Sequence, residues 1–334
     1  MSPRSLRMVS CRRRRPGRAM GCRSLMSNSS TPTIGVIDIG SNSTNLLISQ
    51  RGHAVVREQK ITRLGAGVLR TKMLSAESME NTLQQLRYYS SVLAENGVTN
   101  IHVVATAAVR HANNGVAFLA EVESIIGVIP RLISGEEEGR LSFVGAQHQL
   151  PLPNNPQLIA VFDIGGGSTE IAVGHPTGPP RVISIPYGAR SLTEKEIHSD
   201  PPRPEELTNA IGVIIDEVDD ALREIPELAD CDEIIGVAGT IVTIAMVELG
   251  LTQFDAQKLH GFALTRDAAE DVFRTLATEA LRDRLFNPGL NADRADVIVG
   301  GCCALVAIMR KLQRSHIIIS TASLLDGVAA TEAS

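Results

Sequence analysis

The sequence of 334 residues contains no tryptophan, and aromatic residues make up only 3% of it. Its cores must therefore be built from aliphatic side chains, which suits buried sheets covered by helices. No apolar run approaches the roughly 20 residues that a membrane span needs, so no membrane partner is expected. The length is sufficient for about two domains, each with its own core.

Cysteine is also scarce, with five residues that form no CxxC pair and no spacing typical of a metal site. Cys302 and Cys303 lie among alanine, valine and leucine, and we expect them to be small core residues. A disulfide framework is not expected, which makes the reducing cytoplasm the expected compartment.

Acidic residues are missing from residues 1–25, which carry eight arginines although the whole chain has a net charge of −5. The remainder is therefore acidic and a poor non-specific binder of nucleic acid, so no nucleic-acid partner is expected. Residues 1–30 are expected to be a disordered basic leader, without the apolar segment of a secretory signal. A transit peptide, a polyanion-binding tail and an upstream start before Met26 are the three interpretations, of which we favour the last.

Two similar loops follow apolar stretches that are typical of buried strands. The first reads Asp38-Ile-Gly-Ser-Asn-Ser-Thr and the second reads Asp163-Ile-Gly-Gly-Gly-Ser-Thr-Glu, so that Asp, Ile, Gly, Ser and Thr coincide in register. The pair predicts a duplicated architecture, whereas either loop alone would be consistent with an ordinary tight hairpin. Three glycines in a row leave the backbone free to take positive φ and let a ligand approach the backbone N–H groups closely.

A concave arrangement of backbone amides binds phosphate. We therefore expect the two loops to hold a phosphate through the following residues: Gly40, Ser41, Asn42, Ser43, Gly165, Gly166, Gly167 and Ser168. Three carboxylates in or beside the loops would repel a bare phosphate, so their natural partner is a divalent cation, Mg²⁺ or alternatively Mn²⁺. These expected metal ligands are Asp38, Asp163 and Glu170.

Two further side chains are candidates for catalysis. Arg110 follows a predicted strand and could clamp phosphate oxygens, although a surface arginine is the alternative. Glu136–Glu138 offer a general base, because a carboxylate beside others and near phosphate ionises less readily, which raises its pKa. Compensation of the helix dipole is the alternative role for these glutamates, which follow the capping residue Ser134.

Hydrophobic periodicity and turn residues predict an alternating α/β chain. The predicted strands are 34–39, 45–50, 54–60, 101–105, 128–133, 158–163, 170–174, 181–185, 233–237 and 316–320. The predicted helices are 76–95, 107–127, one beginning near 134, 204–225, 266–281 and 293–313.

Together these motifs resemble the exopolyphosphatase/guanosine pentaphosphate phosphohydrolase family of the actin-like ATPase superfamily. The resemblance runs from about residue 33 to the C-terminus and includes four further motifs: Arg63-Leu64-Gly65, residues 134–141, residues 185–189 and residues 294–298. It implies an α/β fold of two actin-like, ribonuclease H-like domains with the active site in the cleft between them. Domain I is expected over 33–137, with 318–334 packing back on it, and domain II over 138–317.

The resemblance also implies Mg²⁺-dependent release of a terminal phosphate. It implies that Glu138 is the catalytic base, that Arg110 contacts phosphate, and that Asp163 and Glu170 hold metal and phosphate. The sequence departs from the family at Arg190, which stands one place early, and at residues 320–324, where the family has Ser-Asp-x-Gly-Leu. The second departure puts the closing loop in doubt. The chain resembles the short, two-domain members, which lack an appended helical domain.

The expected function is that of an exopolyphosphatase, and hydrolysis of guanosine pentaphosphate is the nearest alternative. An actin-like kinase or ATPase is a further alternative, because residues 236–240 resemble the adenosine-binding loop of the superfamily. A non-catalytic sensor of polyphosphate or nucleotide is the third. A homodimer is a further option, because a polyphosphate track gains from extra basic surface.

Overall fold

The computed structural model describes residues 33–333, and the basic leader expected at residues 1–30 lies outside them. The first half of the chain forms one sheet and its covering helices. Its strands are β1 (Thr33–Ile39), β2 (Ser43–Gln50), β3 (His53–Ile61), β4 (Asn100–Ala105) and β5 (Arg131–Leu132). Its helices are α1 (Val68–Thr71), α2 (Ala76–Glu95), α3 (Ala107–Arg110), α4 (Gly115–Ile126) and α5 (Gly135–Ala146).

The second half forms another sheet with more helices. Its strands are β6 (Ile159–Ile164), β7 (Thr169–Gly174), β8 (Arg181–Ile185), β9 (Glu233–Val237), β10 (Ala263–Thr265) and β11 (His316–Ile319). Its helices are α6 (Ala189–Glu196), α7 (Pro204–Glu224), α8 (Ala238–Glu248), α9 (Ala256–Leu259), α10 (Arg266–Thr278), α11 (Leu281–Arg284), α12 (Ile298–Lys311) and α13 (Leu324–Glu332).

The two sheets share one topological plan. The first has the strand order β3-β2-β1-β4-β5 and the second β10-β11-β9-β6-β7-β8. In each, an antiparallel three-stranded meander, β1-β2-β3 or β6-β7-β8, is extended by a strand parallel to its first member, β4 or β9. The expected duplication is therefore present. The two loops expected to bind phosphate, residues 40–43 and 165–168, are called the phosphate-type loops below, and each is the first hairpin turn of its sheet.

Several predicted elements differ from the structure. The helix predicted over 107–127 is two helices, because the chain turns at Gly115, where a Cβ would overlap Val109 O. The strand predicted over 128–133 shortens to β5, since Pro130 has no N–H to donate to a sheet. The helix predicted from residue 293 begins only at Ile298, after a short 3₁₀ turn.

Helices α5 and α13 cross at very short range. A Cβ on Gly145 would overlap Ser323 O, and one on Gly327 would overlap Leu141 O. Helix α13 also packs on the first sheet, where its Leu324, Leu325, Val328 and Ala329 join a core with Ile34, Val36, Leu47 and Val104. The domain boundary expected between residues 137 and 138 falls inside the first turn of α5, which packs on strands of the second sheet as well as on α13.

The larger core lies in the second half and is almost wholly aliphatic. Cys302 and Cys303 are buried in α12 with free thiols, as expected from their apolar surroundings. None of the helices among residues 33–333 is long and apolar enough to cross a membrane.

Candidate active site

The two hairpin loops face each other across a cleft of about 640 Å³ and touch at its base. A Cβ built on Gly166 would lie 2.8 Å from Asn42 Cβ, and one on Gly167 would lie 2.5 Å from Ser41 Oγ. The structure therefore brings together all eight residues expected to bind phosphate, which all line this cleft.

The triple glycine would permit a positive φ, but none of Gly165, Gly166 and Gly167 adopts one. Glycine is required at these positions because there is no space for a side chain. Any side chain at position 166 or 167 would push against the opposite loop. Glycine thus permits the close approach of two backbones, which is the other reason for its use in such loops.

Both loops are closed by the same turn hydrogen bond. Gly40 N donates to Ser43 O and Gly165 N donates to Ser168 O, each at 3.0 Å. Two of the predicted phosphate donors therefore already use their amides within the turn. Within residues 33–333, the loop amides that bond no acceptor are those of Ser41, Asn42, Gly166, Gly167 and Ser168.

The start of helix α6 holds the second loop from behind. Ala189 N donates to Gly165 O, and the amides of Arg190 and Ser191 donate to Gly166 O. Ser191 Oγ adds a bond of 3.0 Å to Gly167 O. Because the carbonyls of the loop are engaged on this side, the peptide planes are fixed in one orientation.

Four buried carboxylates come from both sheets and from helix α5, and three of them, Asp38, Glu138 and Asp163, line the cleft. Asp38 lies on β1, Asp163 on β6 and Glu170 on β7, where Asp163 and Glu170 are directly paired across the strands. Glu138 lies in the first turn of α5. All four are at most 9% exposed.

Helix α5 can approach the sheet closely because of its small residues. A Cβ on Gly139 would lie 2.5 Å from Val182 Cγ1 and 3.2 Å from Glu170 Cβ. Ser142, one turn after Glu138, donates a hydrogen bond of 2.5 Å to Asp163 Oδ2. The helix therefore brings Glu138 and a hydroxyl donor to the same group of carboxylates.

Burial is the largest cause of the raised pKa values in this group, and mutual repulsion adds to it. Burial and the charge of Asp163 raise the pKa of Asp38 to about 7, against the hydrogen bond from Asn45. The same two causes raise the pKa of Glu170 to about 8. Burial, followed by the charges of Glu170, Asp163 and Asp38, holds the pKa of Glu138 well above its usual range.

Arg110 is the cation closest to the proposed base. Its Nη1 lies 3.5 Å from Glu138 Oε2 and donates to Ile133 O at 2.7 Å. The carboxylate oxygen Glu138 Oε2 is buried and accepts no hydrogen bond. Arg110 thus forms an ion pair with Glu138, and Glu138 Oε2 is still able to accept a hydrogen bond from a ligand or a water.

The oxygen atoms of these buried carboxylates are chemically suited to bind a hard divalent cation. Asp38 Oδ1 and Glu170 Oε2 are buried oxygens without a hydrogen-bond partner, and Mg²⁺ prefers oxygen ligands. Among residues 33–333, no three acidic, histidine or cysteine side chains are placed so that they could hold a metal ion by themselves. Mg²⁺ needs no such cage, because it usually binds one or two carboxylates together with water and phosphate oxygens.

Sequence reasoning missed the side chains that hold these carboxylates. Asn45 Nδ2 donates to Asp38 Oδ2 at 2.8 Å, and Ser184 Oγ donates to Glu170 Oε1 at 2.7 Å. Asn45 and Ser184 lie opposite Asp38 and Glu170 in the strand pairing. Only the register of the strands would have revealed them. Ser142, by contrast, follows Glu138 by four residues, a spacing that predicts one helix face.

Of the two departures noted in the sequence, one lies at the cleft wall and the other behind the loops. Ser320, Thr321 and Ser323 line its wall, and Ser320 Oγ donates to Ala322 O within this loop. Arg190 lies behind the loops, with its side chain buried.

Two mixed sheets of the same plan, with their first hairpins meeting over one cleft, define an actin-like protein of two domains. Exopolyphosphatase 2 of Mycobacterium tuberculosis is 32% identical over 317 residues, which cover 89% of this chain and 97% of that protein. The profile of the Ppx/GppA phosphatase family matches residues 48–333. The chain belongs to the Ppx/GppA phosphatase family.

Solved structures agree with this assignment. A crystal structure of an exopolyphosphatase-like protein has a TM-score of 0.86 and 30% identity, over 90% of this chain and 98% of that one. A Ppx/GppA family member from Aquifex aeolicus has a TM-score of 0.74 and 30% identity, over 90% and 97% of the two chains. Both matches extend over nearly all the residues that the structure describes.

Proposed function

We propose that the protein is an exopolyphosphatase that hydrolyses the terminal phosphoanhydride of inorganic polyphosphate and releases orthophosphate. The observation that carries this proposal is Glu138. Its carboxylate is buried beside two phosphate-type loops, has a raised pKa and keeps one oxygen without a hydrogen bond. A base with these properties can take a proton from an attacking water near neutral pH.

In this mechanism the amides of the two loops bind the terminal phosphate. Glu138 orients the water and accepts its proton as the water oxygen attacks phosphorus, while the shortened chain leaves on the opposite side. Arg110 is placed to offset negative charge on the phosphate oxygens. Asp38, Asp163 and Glu170 would hold Mg²⁺ or Mn²⁺, which when bound neutralises the phosphate charge and the carboxylates around it.

The choice of substrate rests on the names of relatives, such as the exopolyphosphatase of M. tuberculosis. Guanosine pentaphosphate is the second candidate, and one feature of the cleft favours it. The cleft continues past the loops along an apolar wall of Val242, Met246, Phe254 and Leu290. A nucleoside would bury apolar surface there, whereas a bare phosphate chain would find no gain.

A phosphate-release assay on the purified full chain tests both substrates. Polyphosphates of defined length and guanosine pentaphosphate are compared, each with Mg²⁺ and with a chelator. We expect release from polyphosphate that depends on the metal. Release from the guanosine nucleotide alone would assign the second function, and tight ATP binding without either activity would favour an actin-like kinase or ATPase.

We further propose a cytoplasmic location, where both substrates would be available. Whether the enzyme is a homodimer stays a prediction that sedimentation analysis can test.

A further inference from the structure

Arg190 has a position that the proposed reaction does not yet explain. Its side chain, 8% exposed, reaches from the start of helix α6 into the first loop. Its Nε and Nη2 both donate to Asn42 Oδ1, at 3.1 and 2.6 Å, while its backbone N donates to Gly166 O at 2.9 Å. A single residue therefore holds both phosphate-type loops.

The chemistry of the guanidinium fixes the orientation of the Asn42 amide. A guanidinium only donates hydrogen bonds, so it must face the oxygen of the amide and never the nitrogen. The Nδ2 group of Asn42 is then turned the other way, and it bonds no acceptor within residues 33–333. The backbone carbonyl of Asn42 is also occupied, by the amides of Thr62 and Arg63. The polar groups of Asn42 that remain unpaired are its backbone N–H and its Nδ2 group, both donors, and they are available to a ligand in the cleft.

The buried cation is balanced by acidic neighbours. Asp296 Oδ2 lies 3.4 Å from Arg190 Nη2, and Glu194 Oε1 lies 3.9 Å from its Nη1. Asp296 also pairs with Arg63 at 3.5 Å. These partners offset the cost of burying the guanidinium, which would otherwise favour its movement toward water.

We propose that Arg190 is a positioning residue for phosphate binding, acting through Asn42. By holding Oδ1, it presents Nδ2 as a fixed donor to a terminal phosphate oxygen, and its backbone amide keeps the Gly166 peptide in register with that donor. The inference rests on the proposed function, because it assigns a phosphate oxygen as the acceptor. It also gives a role to an arginine that stands one place early relative to the family.

A double-mutant cycle separates this role from a merely structural one. Arg190→Met, Asn42→Ala and the double variant are made in a Glu138→Gln background, so that inorganic tripolyphosphate binds without turnover. Dissociation constants are measured by calorimetry in the presence of Mg²⁺. We expect each single change to weaken binding about tenfold, the effect of losing one charge-assisted hydrogen bond. Because both act through one donor, the double variant should also lose about tenfold.

A loss of about a hundredfold in the double variant would overturn the proposal, since Arg190 would then act independently of Asn42. Arg284→Met is the matched control, because Arg284 is also a buried arginine but bonds the backbone carbonyls of residues 276, 279 and 295. It should lower the melting temperature and leave the dissociation constant within about twofold. An equal weakening in the control would likewise overturn the proposal, because loosening of the fold would explain both.

Arg190→Lys covers the case in which Arg190→Met does not fold. Lysine keeps the charge near Asp296 but has no planar fork to fix the amide. We expect it to weaken binding in the Asn42 parent and to change nothing in the Asn42→Ala parent. Equal weakening in both parents would contradict the proposal. If the Glu138→Gln parent binds no tripolyphosphate, the proposed function itself fails, an outcome distinct from binding with independent effects.

Discussion

Single side chains in the cleft have roles that depend on burial more than on residue type. Glu136, Glu137 and Glu138 are consecutive in the sequence, yet Glu138 is buried and Glu136 is exposed. Helical geometry turns successive residues by about 100°, so only one of the three can face the sheet. The sequence could place a base among these glutamates, and the packing of α5 on the second sheet selects which one it is.

Replacement of Glu138 by Gln should abolish turnover and preserve binding. The amide has the same shape but cannot accept the proton of the attacking water, and general-base catalysis contributes about 10²- to 10⁴-fold to rate. We expect kcat for phosphate release to fall by that range. Glu136→Gln is the control in the same helical turn and should keep the wild-type rate. A Glu138→Gln variant that retained more than about half of the wild-type kcat would remove Glu138 from the mechanism.

At the level of the elements, most strands and long helices could be predicted from periodicity and turn residues. Helix α2, for example, is found at Ala76–Glu95, the range predicted for it. The loop-to-loop contact could not be predicted, because it joins Asn42 to Gly166 across two sheets and no local pattern encodes it. The same holds for the crossing of α5 and α13, which depends on two glycines far apart in the chain.

That crossing predicts a large effect for a single methyl group. Gly327→Ala would force a Cβ into Leu141 O, and overpacking of this kind costs about 3 kcal/mol or more when neither backbone can move. We expect a loss of that size in the free energy of unfolding, measured by urea denaturation. Gly212→Ala is the matched control, because a Cβ there has open space and alanine favours a helix by about 1 kcal/mol. Similar stability for the two variants would show that α5 and α13 do not cross as described.

For the whole molecule, the buried carboxylates make stability depend on pH and on cations. The pKa of Asp38 is about 7 and that of Glu170 about 8, both above the values of an unfolded chain. The folded state therefore binds more protons than the unfolded state between about pH 4 and pH 8. In this window the free energy of unfolding must fall as pH rises.

We expect a loss of about 2–4 kcal/mol in the unfolding free energy between about pH 5 and pH 8 in the presence of a chelator. Mg²⁺ at about pH 8 should restore part of the lost unfolding free energy, because a bound cation offsets the charge of the carboxylates that have lost their protons. Asp38→Asn should flatten the pH dependence, whereas Asp216→Asn on the exposed face of α7 should leave it unchanged. Stability that rises over this range would show that these carboxylates are ionised at little cost.

The two adjacent thiols of helix α12 have a practical consequence. Burial raises the pKa of Cys303 to about 12 and also raises the pKa of Cys302, and a thiol reacts as its thiolate. While α12 is packed, the thiolate is therefore scarce and the buried sulfurs are out of reach of a reagent. The rate at which a maleimide labels Cys302 and Cys303 would therefore report the rate at which the second half of the chain unfolds, without any added probe.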